Sequence, residues 1–114
     1  MMAAGRLDRR MRFEERRRGD DGRGNKRSDV WVPKLEVWSG RMLLKGGETV
    51  IASRLAGRGA AILKVRSSAA TREIRADWRA VDMHDGTVWH VKEPPRLTDD
   101  RGFLEMLVES GVPN

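Results

Sequence analysis

Residues able to do covalent or metal chemistry are few in this 114-residue chain, and they are scattered. Cysteine is absent, which removes disulfides, thiolate metal sites and a cysteine nucleophile. His84 and His90 supply the imidazoles. They flank one turn on opposite strands and read as solvent-facing sheet histidines rather than as a metal pair or a general base. A serine nucleophile needs a base beside it and a strained turn that exposes its oxygen, and Ser28, Ser39, Ser53, Ser67, Ser68 and Ser110 lie in no such elbow. Neither an HExxH helix nor a DxDxDG loop occurs. The acidic pairs Glu14-Glu15, Asp20-Asp21 and Asp99-Asp100 sit among arginines and read as solvated surface charge. The expectation is no enzyme, no metal and no cofactor, and a function in binding or assembly.

Arginine is what the chain has in quantity. Lys and Arg number 23 against 17 Asp and Glu, a formal charge of +6, with a pI near 10.7. Guanidinium suits phosphate and carboxylate alike, so the partner is a nucleic acid or an acidic protein surface. A GC-rich genome that favours Arg, Ala and Gly throughout would produce the same excess, and composition alone leaves both readings open. The charge is densest in 16–29, where Arg16, Arg17, Arg18, Arg23, Lys26 and Arg27 face Asp20, Asp21 and Asp29 with no apolar residue between them. Such a stretch has nothing to bury against its ordering entropy, so a mobile basic loop is expected. Gly22, Gly24 and Lys26 lack the GxxxxGK[ST] spacing of a nucleotide loop.

The elements that must carry these residues read as strands. Ile74–Glu93 is expected to be one hairpin folded on Asp85-Gly86 in a type I′ turn, pairing Met83 with Val88, Asp82 with Trp89 and Ala80 with Val91. Its core face carries Ile74, Ala76, Trp78, Ala80, Trp89 and Val91. Met11 and Phe13 alternate with charged residues over Arg9–Arg17, a half-buried strand. In Val30–Leu44, Pro33 marks an entry or edge position, and Trp38 falls on the face opposite Leu35 and Val37. Glu48–Gly57, stopped by Gly57 and Gly59, reads as a short helix. Ala60–Arg66 alternates as a strand, Pro94-Pro95 ends the hairpin, and Phe103–Val108 forms a last strand with Leu104, Met106 and Val108 on one face. Met1–Leu7 reads as a flexible arm, and no apolar run reaches the roughly 18 residues of a membrane span. The expected architecture is a single all-β domain over 1–114: a small antiparallel barrel or sandwich of about six strands, with one short helix and the long loop.

Several pieces of this order match a known pattern. A basic first strand, a long polar loop, V-W-S-G at Val37–Gly40, G-E-T-V at Gly47–Val50, I-L-K-V-R at Ile62–Arg66, D-G-T-V-W-H-V at Asp85–Val91 and R-G-F-L-E-M-L-V at Arg101–Val108 together resemble the head-tail joining proteins of tailed bacteriophages and related gene transfer agents. These are the head completion, or stopper, proteins. Trp89 fills the family's aromatic place in the last hairpin strand, whereas the Arg-rich first loop and His84 depart from the pattern. The resemblance spans about Arg6 to Val108. It implies a small β-barrel in the virion that docks as a ring of its own copies beneath the portal and adaptor, closes the DNA channel after packaging, and offers a platform to the tail terminator or tail tube.

On that resemblance, the loop carrying Arg16, Arg17, Arg18, Arg23, Lys26 and Arg27 faces the packaged double-stranded DNA or the adaptor. Trp31, Trp38, Met42 and Met106 become candidates for subunit or partner contacts, while Trp78, Asp85, Gly86 and Trp89 hold the core hairpin. The rival expectation is a free basic β-barrel that binds nucleic acid by stacking bases in a groove. With four Trp and two Phe in the chain, and Trp78 and Trp89 assigned inward, few aromatics are left for it.

Overall fold

A computed structural model describes residues 6–17, 30–44, 47 and 57–111. Seven strands occur in them: β1 Arg9–Arg17, β2 Val30–Leu43, β3 Gly59–Arg66, β4 Arg79–Asp82, β5 Val88–Val91, β6 Arg96–Leu97 and β7 Phe103–Ser110. A 3-10 turn, Thr71–Glu73, joins β3 to β4. All pairings are antiparallel. The order β3-β2-β1-β4-β5-β7 closes on itself because β3 also pairs with β7 from Gly59↔Ser110 to Arg66↔Phe103. Closure leaves each of these strands a neighbour on both sides over part of its length, which protects their edges. β6 is the seventh strand beyond the six or so expected. It continues β5 along the same side of β7 after the break at Pro94-Pro95.

Alternation fills the barrel. Met11 and Phe13 of β1, Ala61, Leu63 and Val65 of β3, Ala80 of β4, Trp89 and Val91 of β5, and Leu104, Met106 and Val108 of β7 form one core with Ile74 and Trp78. Met106 is therefore an inward residue, and the outer face of β7 belongs to Phe103, Glu105 and Leu107. β2 is half again as long as its neighbours and serves two partners. Its first part pairs with β1, and its end from Ser39 to Leu43 pairs with β3. The register slips at Phe13/Glu14, so that Lys34 is an extra residue beside Pro33. A proline without an N–H is tolerated at a bulge on a strand side that no neighbour covers.

The central hairpin differs from its sequence reading in register and turn. The observed pairs are Val81↔Val88, Ala80↔Trp89 and Arg79↔His90, a shift of two that keeps Ala80, Trp89 and Val91 on the core face, whereas Ala76, expected there too, precedes the strand and is only partly buried. The turn is longer than two residues. Asp82 N–H donates to Thr87 O, and Gly86 N–H donates to Asp82 O. Gly86 has φ 77°, but Asp85 does not share the positive φ that a type I′ turn demands. Strand geometry begins only at Arg79, since Asp77 is held at φ 76° after the 3-10 turn. Arg6 and Leu7, expected in the arm, lie over β2 at Gly40, where an added Cβ would sit 2.8 Å from Arg6 O. The helix expected at Glu48–Gly57 and the loop positions Arg18, Arg23, Lys26 and Arg27 fall outside the described residues, apart from Gly57.

Candidate assembly surfaces

Three places on the barrel gather charged and aromatic side chains. The first is its mouth, where the β4–β5 turn meets the ends of β1 and β2. Asp82 follows Ala80 in the inward series, and its side chain is fully buried. Arg9 Nη1 donates to Asp82 Oδ2 at 2.7 Å, while His84 N–H at 2.8 Å and Asp85 N–H at 3.4 Å donate to Oδ1. Arg41 approaches both carboxylates at 3.8 Å and lies 5.9 Å from the Trp89 ring. Asp85 Oδ1 accepts from Thr87 N–H at 2.9 Å. That hydrogen bond, joined by the nearby Arg9 and Arg41 charges, holds the Asp85 carboxyl below its usual range. The two arginines thus clamp a turn that carries two negative charges.

The second place is the base of the β1–β2 ribbon. Arg16 and Arg79 stand over the Trp31 ring at 4.9 and 4.4 Å, and His90 meets that ring edge-on at 5.7 Å. Glu14, almost wholly buried, accepts from Arg79 Nε at 2.6 Å and from Arg12 Nε at 2.8 Å. Positive guanidinium faces and a negative indole face attract, and a carboxylate shared by two arginines removes the repulsion between them. Arg16, His90 and Lys92 also line a small cavity of about 260 Å³ beside Asp77.

The third is a groove of about 740 Å³ over the outer faces of β2, β3, β7 and β6. The pairs Met42↔Ile62 and Ile62↔Leu107 run an apolar row across three strands, continued by Pro94 and Leu97. Glu93, Asp99, Asp100 and Glu105 also line it, with Lys64 and Arg96. The β6–β7 turn fixes the acidic end. Thr98 Oγ1 and Gly102 N–H donate to Asp100 Oδ1 at 2.6 and 2.9 Å, and these bonds lower the Asp100 pKa. Outside the groove, Trp38 is 50% exposed with the Arg10 guanidinium 5.4 Å from its ring, and Arg10 is paired to Glu36 at 2.7 Å.

These surfaces gather charged, aromatic and apolar side chains, and among the described residues none of the three brings an acid, a base and a nucleophile together. Among the described residues no group of three His, Asp or Glu converges as a metal would require. The sequence profile of phage head completion proteins matches residues 2–111. The chain belongs to that family. No curated protein matches it in sequence. Solved structures share the barrel, among them the following two. A Shigella flexneri 2a protein solved in solution superposes with a TM-score of 0.70 at 19% identity, covering 99% of this chain and 100% of the other. A chain in the virion of a native gene transfer agent particle gives 0.61 at 22%, covering 95% and 98%.

Placed on this head completion fold, the residues singled out from sequence divide. Trp38 and Met42 are exposed, as an interface anchor must be. Met106 is buried at 2% exposure and cannot be one. Trp31 is half-buried, with its ring already engaged by Arg16, Arg79 and His90. Arg16 and Arg17 belong to β1 rather than to a loop, and Arg17 Nε pairs with Glu15 at 2.9 Å. Trp78 and Trp89 lie in the core, with Asp85 and Gly86 in the turn. His90 is buried at 5% exposure, against the solvent-facing expectation, because Trp31 of β2 lies against it. Sequence reasoning overlooked Asp82, although its parity with Ala80 already pointed a carboxylate inward. It also overlooked the Pro94–Leu97 side of the groove, which exists only once β6 rejoins β7.

Proposed function

We propose that this head completion protein works as a structural stopper in the virion. Copies dock as a ring below the portal and adaptor, close the DNA channel after packaging, and present the surface to which the tail terminator or tube attaches. The family match over nearly the whole chain carries this reading. The gene transfer agent virion chain of the same fold supports it, as do side-chain clusters suited to binding. In this reading 18–29 reaches the channel or adaptor from the β1–β2 ribbon, and Arg18, Arg23, Lys26 and Arg27 contact phosphates without sequence preference. The exposed residues Trp38 and Met42 contribute to subunit or partner contacts.

Complementation tests the proposal. In a producing strain that lacks the gene, a wild-type copy restores infectious or transducing particles. A copy with Arg18, Arg23, Lys26 and Arg27 replaced by Gln gives heads that leak DNA or fail to join tails. Normal particle yields from the Gln variant would remove the loop from the mechanism, and normal yields without any copy would remove the stopper itself.

A further inference from the structure

We propose that in the free chain the groove over β2, β3, β7 and β6 is occupied by the chain's own amino-terminal segment, Met1–Gly5. Those residues lie outside the described ones; Arg6, the first that is described, stands at the groove's edge.

Gly40 marks that edge. Trp38, Gly40 and Met42 share the outer face of β2, and although Trp38 and Met42 are exposed, Gly40 is buried. Arg6 and Leu7 cover it, for a Cβ on Gly40 would lie 2.8 Å from Arg6 O and 3.5 Å from Leu7 Cδ2. Arg9 still lies on β1, opposite Ser39, so between Arg9 and Arg6 the chain crosses from β1 onto the outside of β2. The next strand in that direction is β3. Gly40 pairs with Lys64, Lys64 with Glu105 and Glu105 with Arg96, a straight row from beneath Arg6 across β3 and β7 to β6. Lys64, Glu105 and Arg96 all line the groove. Three strand spacings are about 14 Å, and five extended residues reach about 17 Å.

The chemistry of the two surfaces matches. Met42, Ile62, Leu107 and Leu97 offer apolar surface beside that row. Met1 and Met2 carry unbranched, adaptable side chains of the type that fill irregular apolar gaps. Four carboxylates against Lys64 and Arg96 disfavour an acidic occupant, and the segment has no acidic residue and leads into Arg6. A covered groove keeps free chains from associating through it, and Met42 opens to a neighbour only when the segment leaves.

The absence of native cysteine makes cross-linking specific. The purified full-length chain carrying Ala3→Cys/Arg96→Cys is treated at low concentration with a short bismaleimide. Arg96 is 81% exposed, so its replacement leaves the core intact. The expected product is a monomer in which mass spectrometry finds positions 3 and 96 linked. Ala3→Cys/Arg17→Cys should stay unlinked, since Arg17 pairs with Val30, which is about 33 Å along β2 from Gly40. Met2→Gln keeps the segment's length but makes one anchoring side chain polar, and it should lower the link between 3 and 96 about tenfold. A link indifferent to Met2→Gln would reflect only the reach of the chain and would overturn the proposal, as would no link at all. Links between chains that grow with concentration would assign the groove to the segment of a second copy and overturn it too. Each of these failures leaves the stopper reading standing, because only the free chain is measured.

Discussion

Asp82 shows how much one side chain can fix. Its buried carboxylate is tolerated because Arg9 and the backbone N–H of His84 satisfy it, with Arg41 close by. Removing it strands a partly buried guanidinium and a turn N–H. Asp82→Ala should therefore cost about 3 kcal/mol, read as a lower urea midpoint at unchanged slope. Asp82→Asn, which keeps an acceptor for His84 N–H, should cost less. Asp85 predicts a pH dependence of definite sign. Its folded pKa is held below the ordinary 3.8, first by the hydrogen bond from Thr87 N–H. The unfolded chain then binds more protons in the intervening window. This contribution is complete above the unfolded value and is lost as pH falls through the folded one. Between about pH 5 and pH 3, wild type should lose more melting temperature than Asp85→Asn.

The strands were legible in the sequence wherever one face is plainly apolar. Met11 with Phe13, and Ala61 with Leu63 and Val65, alternate against charge, and the structure buries them. β7 is apolar on both faces, so alternation could find the strand but could not say that Met106 turns inward and Leu107 outward. The hairpin's faces were readable because a shift of two preserves parity. Its register was not, because the extended turn depends on Asp82 capping its own turn and on Arg9 and Arg41 clamping it from distant strands. Gly86 is the position where the turn demands a left-handed backbone, at φ 77°. Gly86→Ala should cost about 1 kcal/mol, and Gly86→Asn distinctly less, both measurable by denaturant unfolding.

At the scale of the molecule, six strands close a barrel whose interior is filled, which leaves its outer surfaces to do the work. Local patterning exposed one of those surfaces, the Trp38 ridge, since an aromatic on the outer face of a strand is visible in sequence. The groove and the Trp31–His90 contact were invisible there, because each joins residues from strands far apart in the chain. The head-tail joining resemblance carried further than the site chemistry did, for it rests on the order of many short segments spread from about Arg6 to Val108, and the family profile matches 2–111. The stopper role proposed for this head completion protein is tested most directly by electron microscopy of particles from a producing strain with the gene deleted. The account predicts full or leaking heads lying beside separate, complete tails. Normally tailed, DNA-filled particles would contradict it.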